Sequence, residues 1–101
     1  MVSFEDRASV PSQVLVRFLE GESVLLNLKT ERYFGLDNTG TRIWKAVTVA
    51  PDIKTAYEEL LREYDVDPGG LRSDLAELLG QLLENGLLEV HPANVGRAAA
   101  V

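Results

Sequence analysis

The sequence predicts an α+β domain in which a three-stranded antiparallel sheet is followed by three helices. Three segments within the first 36 residues are rich in β-branched and aromatic residues, and turns of two or three residues separate them. After residue 36, apolar residues instead recur every three or four positions, which is the spacing of a helix face. The length of 101 residues fits one domain.

The predicted strands are residues 13–19, 23–29 and 32–36. Because the turns between them are short, the strands form an antiparallel meander. Residues 1–12 mix charges, small residues and a proline, and they are predicted to be a loose lead-in. Strand 32–36 pairs with the second strand on one side. Its other edge is expected to be open, unless the first strand or the end of the chain folds over it.

The predicted helices follow the strands directly. The first begins at Asp37 or Asn38, since either side chain can cap a helix. The second begins at Pro51–Asp52 and is strongly amphipathic. A Pro-Gly-Gly loop at 65–70 is predicted to break the chain before a last, leucine-rich helix that runs from about 71 to 84.

Composition and charge exclude several classes of protein. The chain has no cysteine, so it contains no disulfide and no thiolate site. Its net charge of -6 opposes phosphate binding across the whole surface, and its apolar runs are far shorter than the ~20 residues that span a bilayer. We expect a soluble cytoplasmic protein that binds neither nucleic acid nor membrane. Its folded domain is predicted to be 13–90, with a frayed tail at 91–101.

The sequence contains no recognisable catalytic set. The single histidine, His91, lies near the end of the chain and has no evident partner. Gly69-Gly70 lacks the lysine and the strand of a phosphate-binding loop, and Asp65 and Asp67 lack the spacing of an EF-hand. We therefore expect no enzyme activity, no metal and no cofactor, and a function in recognition.

Two features are candidates for recognition. An open edge at strand 32–36 could take up an extended peptide as an additional strand. Tyr33 and Phe34 point to opposite faces of that strand, so at most one of them faces the core, and the sequence does not say which. On the last helix, Leu79 is predicted to be a partly exposed groove wall, and Asp74 lies on the opposite flank.

Three stretches of the chain resemble the PqqD-like family. They are "YFGLDNTGTRIW", "DIKTAYEELLREYDVDP" and "LRSDLAELLGQLLENGLLEV", and the resemblance covers about residues 14–90. It rests on an aromatic strand, then Leu-Asp-x-x-Gly-x-x-Ile-Trp, then a leucine-rich last helix. Family members of this kind are recognition elements that hold the leader of a ribosomally made precursor peptide. The first stretch is most similar to the discrete elements of lasso peptide systems.

The resemblance implies a winged-helix-like fold in which the leader adds to the third strand and lies in a groove against the last helix. It also implies a separate leader peptidase as partner and a cyclase that acts later, while the element itself does no chemistry. Carried over by position, the peptide-binding residues are Arg32, Tyr33, Phe34, Gly35, Leu36, Asp74, Leu75, Leu78, Leu79 and Leu82.

Three alternatives remain open at the level of sequence. The first is a peptide chaperone of the same family that serves another pathway of peptide modification. The second is a winged-helix regulator, although the outer face of the last helix carries Glu77 and Glu84, which oppose phosphate. The third is a docking adaptor with no leader substrate.

Overall fold

The computed structural model describes residues 3–92 as a three-stranded sheet packed against three helices. β2, β3 and β4 form the antiparallel sheet in that order, and β1 and β5 pair separately. The α+β class, with an antiparallel three-stranded sheet before three helices, is confirmed. The elements are β1 (Arg7–Ser9), β2 (Val14–Leu19), β3 (Glu22–Asn27), β4 (Arg32–Leu36), α1 (Asn38–Val49), α2 (Ile53–Glu63), α3 (Pro68–Glu84) and β5 (Glu89–His91).

The turn between β2 and β3 sets the twist of the meander. Glu20 and Gly21 are the only residues between the two strands, and both have positive φ, at 51° and 91°. Two consecutive residues of positive φ match the right-handed twist of the flanking strands, which is why hairpins favour such turns. The two strands consequently pair along their whole length, from Leu19 opposite Glu22 to Val14 opposite Asn27.

The sheet buries one face under the helices. Leu25 lies opposite Phe34, and Ser23 lies opposite Leu36 on the buried face. Because side chains alternate along a strand, the neighbouring residues point to the opposite, outer face. The core combines this buried face with the inner faces of the helices, and its largest apolar members are Leu25, Ile43, Trp44, Val47, Ile53, Leu60, Leu71, Leu75, Leu79, Leu82, Leu87 and Leu88.

An aspartate caps each helix at its N-terminus. In each case a carboxylate oxygen accepts a hydrogen bond from the backbone N–H three residues later, which satisfies one of the free donors of the first turn. The bonds are Gly40 to Asp37 at 2.7 Å, Thr55 to Asp52 at 2.7 Å and Gly70 to Asp67 at 2.8 Å.

The predicted break at Pro68-Gly69-Gly70 is wrong, because these residues form the first turn of α3. A proline is tolerated there because the first N–H groups of a helix have no partner within it. The cap at Asp67 then holds the two glycines in helical conformation through its bond to the Gly70 N–H. The last helix therefore begins three residues before the predicted start at 71.

Two short strands near the two ends of the described residues pair with each other. The second overlaps the short extended piece that the sequence indicates at 87–90, whereas the first lies in a segment with no strand pattern. β1 lies within the predicted loose lead-in and pairs with β5, with Arg7 opposite His91. The Ser9 hydroxyl and the His91 Nε2 lie 2.8 Å apart. Ala8 is buried, so the loose lead-in does not extend to Arg7–Ser9. Residues 93–101 of the predicted tail lie outside the described residues. None of the helices in 3–92 is long and apolar enough to cross a membrane.

Candidate functional site

β4 lies at one edge of the three-stranded sheet. β3 pairs with one side of it, and within residues 3–92 no strand pairs with the other side. An edge of this kind presents unpaired backbone N–H and C=O groups, which makes it a template for a further strand. The five residues of β4, Arg32–Leu36, match the predicted strand at both ends.

A groove of about 370 Å³ runs between β4 and one flank of α3. We call it the strand–helix groove. Its apolar walls include Phe34 from the sheet and Leu78 from the helix, and both side chains are half-buried against the core. Among the described residues, the lining is Phe34, Gly35, Leu36, Asp37, Gly40, Ile43, Asp74, Leu78 and Gln81.

The register of the sheet decides which aromatic residue faces this groove. Phe34 pairs with Leu25, which is fully buried, so its ring points toward the helices and lines the groove. Tyr33 pairs with Leu26 on the outer face and is 74% exposed. The two adjacent aromatic residues therefore belong to different surfaces of the protein.

The leucines of α3 divide between the groove and the core. Leu78 lines the groove together with Asp74, which lies one turn earlier on the same flank. The expectation that Leu79 forms a partly exposed groove wall is wrong, since Leu79 is fully buried. Leu75 and Leu82 are fully buried as well, so these three candidates support the groove from within the core and do not line it.

Arg32 lies at the far end of the β4 edge. Arg32 does not line the strand–helix groove. It lines a neighbouring depression of about 630 Å³, together with Lys29 and Glu84. An extended chain that follows the edge of β4 beyond Phe34 toward the start of the strand would reach this guanidinium. Arg32 is therefore placed to contact such a chain at a distance from the apolar walls.

Buried Asn27 fixes the position of α3 against the sheet. Its side-chain Nδ2 donates to the carbonyl oxygens of Asn85 at 3.1 Å and Gly86 at 3.3 Å. Its Oδ1 accepts from the backbone N–H groups of Lys29 at 2.9 Å and Thr30 at 3.3 Å. One side chain thus joins the end of β3, the turn into β4 and the end of α3, which form the frame of the groove.

The short link between β4 and α1 is held just as tightly. The Ser23 and Thr41 hydroxyls lie 2.7 Å apart in the interior, and both residues are 2% exposed. A Cβ added at Gly40 would approach Leu36 Cδ2 to 3.2 Å, so the first turn of α1 lies directly against the end of β4. The edge strand and the first helix are consequently held together as one rigid wall.

Four residues of the groove were not among the predicted site residues: Asp37, Gly40, Ile43 and Gln81. The sequence indicates Asp37 only as a helix cap and Ile43 only as part of an apolar helix face. Gln81 was detectable in principle, since it lies three residues after Leu78 and seven after Asp74, which places all three on one flank of a helix.

Two carboxylates give the groove its charge. Asp37, the cap of α1, and Asp74 of α3 both line the groove, and no basic residue of 3–92 lines it. The groove therefore combines apolar walls with negative charge. Chemically, this arrangement suits an extended chain that presents an apolar side chain next to a basic one.

The outer face of the sheet carries a row of apolar residues, two of them largely exposed. Tyr33, Leu26 and Leu15 form one row across β4, β3 and β2. Leu15 is 54% exposed, and Leu19, further along β2 on the same face, is 51% exposed. Exposed apolar residues in a row across neighbouring strands are typical of a protein interaction surface.

The described residues contain no arrangement suited to metal binding. Within 3–92, no group of three histidine, aspartate or glutamate side chains lies close enough together to hold an ion. The histidine ring is engaged with Ser9, well away from the strand–helix groove.

The chain is similar to one protein family in sequence and to two solved structures in fold. The sequence profile of the family described as coenzyme PQQ synthesis protein D (PqqD) matches residues 22–88. No curated protein matches the chain. A solved structure described as TbiB1 in complex with the TbiA(beta) leader peptide is 33% identical, with a TM-score of 0.75, over 80% of this chain and 94% of that chain.

A second solved structure shares the fold at lower identity. It is described as lasso peptide synthetase B1 complexed with the leader peptide, and it is 23% identical with a TM-score of 0.73. The match covers 82% of this chain and 98% of that chain.

Proposed function

The chain belongs to the PqqD family, and we propose that it is a recognition element that binds the leader of a ribosomally made precursor peptide, most simply a lasso peptide. The observation that carries the proposal is the open edge of β4 beside an apolar groove. The relative at 33% identity supports it, because that protein is described in complex with a leader peptide.

The binding mode that we propose is strand addition. The leader pairs with the free edge of β4 and becomes the fourth strand of the sheet, so that backbone hydrogen bonds supply much of the affinity. Since side chains alternate along a strand, every second leader residue points into the groove between Phe34 and Leu78. The residues proposed to contact the leader are Arg32, Phe34, Gly35, Leu36, Asp37, Asp74, Leu78 and Gln81, together with Tyr33 through its backbone alone, since its side chain lies on the outer face.

Both apolar contacts and charged contacts are proposed to hold the leader. An aromatic or branched side chain of the leader fills the space between Phe34 and Leu78, where burial of apolar area stabilises the complex. A basic leader residue nearby pairs with Asp37 or Asp74. At the other end of β4, Arg32 contacts an acidic residue or a backbone carbonyl of the same strand.

We propose that the enzymes of the pathway dock on the outer face of the sheet. A leader bound as a fourth strand extends this face, because its outward side chains continue the row that contains Tyr33 and Leu15. A separate leader peptidase docks there, and a cyclase acts later. The protein performs no chemistry itself, and it raises the local concentration of substrate at the enzyme.

The proposal is tested by fluorescence polarisation with the labelled leader of the precursor encoded beside this protein. A scrambled leader of the same composition is the control, since it keeps the charge and removes the order of side chains. We expect saturable binding of the leader and none of the scrambled peptide. Equal polarisation with both peptides would sink the proposal. Tighter binding to the leader of another peptide class would keep the binding mode and change the pathway.

A further inference from the structure

The flank of α3 that faces away from the strand–helix groove carries a larger groove of about 950 Å³. We call it the far-flank groove. It shares no lining residue with the strand–helix groove, which uses the other flank of the helix. Its lining is Ser3, Phe4, Arg72, Ala76, Gly80, Leu83 and Glu84.

Gly80 leaves the centre of this groove bare. It lies in the interior of α3, where glycine lowers helix stability relative to alanine. A Cβ added at this position meets no atom within 4 Å, so no packing inside the described chain requires the glycine. Ala76, one turn earlier, adds a second small residue on the same flank. Two small residues one turn apart let another helix approach α3 closely.

The charges and small residues of this flank are arranged symmetrically about one point. Arg72 and Glu84 lie six residues before and after Leu78, and Ala76 and Gly80 lie two residues before and after it. Consider a second α3 helix packed antiparallel against this flank, with the two helices aligned at the level of Leu78. A residue that lies a given number of positions before Leu78 then faces the partner residue that lies the same number of positions after it. Arg72 then faces the partner's Glu84, and Ala76 faces the partner's Gly80. The flank is therefore complementary to itself in charge and in size.

Arg72 is already ordered for such a contact. Its guanidinium lies 4.0 Å from the centroid of the Phe4 ring and 5.9 Å from that of Tyr57. Within residues 3–92 the single ion pair joins Arg42 to Glu63, so Arg72 and Glu84 are both available for an ion pair with another molecule. A side chain held by aromatic rings loses little further freedom on binding.

We propose that two copies of this protein associate through the far-flank groove, as a two-fold pair of antiparallel α3 helices. The ion pairs between Arg72 and the partner's Glu84 form at both ends, and the small residues meet at the centre. Self-complementarity of this kind is the property that a two-fold interface requires. Both strand–helix grooves stay open, so the dimer binds two leaders.

The dimer is expected to be weak and dependent on concentration. A contact confined to one helix flank and Phe4 is small beside the roughly 1,200–2,000 Å² of standard stable interfaces. Sedimentation velocity over a concentration series is therefore the measurement of choice. We expect the wild-type weight-average sedimentation coefficient to rise with concentration and to fall again at high salt.

Charge exchange supplies the decisive test. Glu84→Arg and Arg72→Glu each place like charges across the two-fold axis, so each variant alone stays monomeric. An equimolar mixture of the two restores opposite charges at both ends, and we expect it to form the heterodimer. Glu77→Arg, an exposed position outside the groove, makes the same change of charge and leaves the wild-type dimer intact. A mixture that stays monomeric, or a wild type that never associates, overturns the proposal.

Cross-linking provides a second readout that does not depend on charge. The chain has no cysteine, so introduced thiols are the only ones present. Chains with Ala76→Cys and chains with Gly80→Cys are mixed under mild oxidation, and Glu77→Cys is the control. We expect the mixed disulfide to exceed the two homodimers and the control. Equal yields for all pairs would contradict the antiparallel arrangement. Leader binding, measured in parallel, is expected to be unchanged by Arg72→Glu, because Arg72 lines the far-flank groove and not the strand–helix groove.

Discussion

The Nδ2 atom of Asn27 lies 3.1 Å from the carbonyl oxygen of Asn85, so a buried side chain of the sheet is bonded to the end of α3. The same nitrogen also reaches the carbonyl oxygen of Gly86. The edge strand and the helix that form the groove are separated in sequence by residues 37–67. This contact fixes their relative position.

Removal of the Asn27 side chain is expected to loosen that frame. Asn27→Ala leaves two carbonyl oxygens and two backbone N–H groups without their partner, which we expect to lower the free energy of unfolding by about 1–3 kcal/mol. Urea unfolding measures this loss. Asn38→Ala, at an exposed position in the first turn of α1, is the matched control and is expected to change stability by less than about 0.5 kcal/mol. Equal effects of the two substitutions would contradict the assigned role of Asn27.

Two glycines, one inside α3 and one just after its end, are expected to respond in opposite directions when replaced by alanine. Gly86 has a φ of +68°, and a Cβ there would meet Asn27 Nδ2 at 2.8 Å. Gly86→Ala is therefore expected to lower the free energy of unfolding by about 1 kcal/mol or more. Gly80→Ala, where the added Cβ meets nothing, is expected to raise it by about 0.5–1 kcal/mol. Urea unfolding at low protein concentration measures the free energy of unfolding of both variants. A change of the same sign for Gly86→Ala and Gly80→Ala would contradict the surroundings described for the two glycines.

Phe34 and Tyr33 provide a test of which surface holds the leader. Phe34→Ala removes one wall of the groove, and we expect the leader to bind about tenfold more weakly or worse, which corresponds to about 1.4 kcal/mol. Tyr33→Ala is expected to leave leader affinity within about threefold and to slow leader cleavage by the peptidase. Fluorescence polarisation and a cleavage assay separate the two effects, and circular dichroism checks that each variant is folded.

Adjacent leucines of α3 are expected to behave differently when a charge is introduced. Leu78→Glu places the carboxylate at the groove surface, so the protein stays folded while leader binding is lost. Leu79→Glu buries an unpaired charge at a fully buried position and is expected to cost about 4 kcal/mol or more. Thermal unfolding together with leader binding distinguishes them. A folded Leu79→Glu variant would show that the helix is rotated relative to the structure described above.

Acid is expected to destabilise the protein through carboxylates with lowered pKa values. Hydrogen bonds from the side chain and then the backbone of Thr55 lower the pKa of Asp52, and the hydrogen bond from Arg42 lowers the pKa of Glu63. Because the folded pKa lies below the unfolded one, this stability is complete above about pH 4–5 and is lost as the pH falls through the folded value.

The cap supplies a matched variant for that experiment. Asn is as good a cap as Asp but does not titrate, so Asp52→Asn is expected to keep most of the stability at pH 7. Between pH 5 and pH 3 the variant should lose less stability than the wild type, as measured by urea unfolding at each pH. A parallel decline of both proteins would assign the acid sensitivity to other groups.

Local sequence patterns were sufficient for the edge strand and for the starts of the first two helices. β4 has its predicted ends, α1 is capped by Asp37, one of its two candidate caps, and α2 begins directly after the predicted start at Pro51–Asp52. Strand alternation and capping depend on residues that are close in sequence. The break at Pro68-Gly69-Gly70 failed for a local reason as well. The same residues that interrupt a helix are acceptable in its first turn, and the cap at Asp67 decided between these outcomes.

The groove itself required the tertiary structure. The sequence by itself determined the fold class, the position of the edge strand and the family resemblance. Whether Tyr33 or Phe34 faces the helices depended on the register with β3, and whether Leu78 or Leu79 is buried depended on the rotation of α3 about its axis. The pairing of β1 with β5 joined residues more than 80 positions apart. Such choices are made by contacts between distant segments, and no local pattern of apolar residues encodes them.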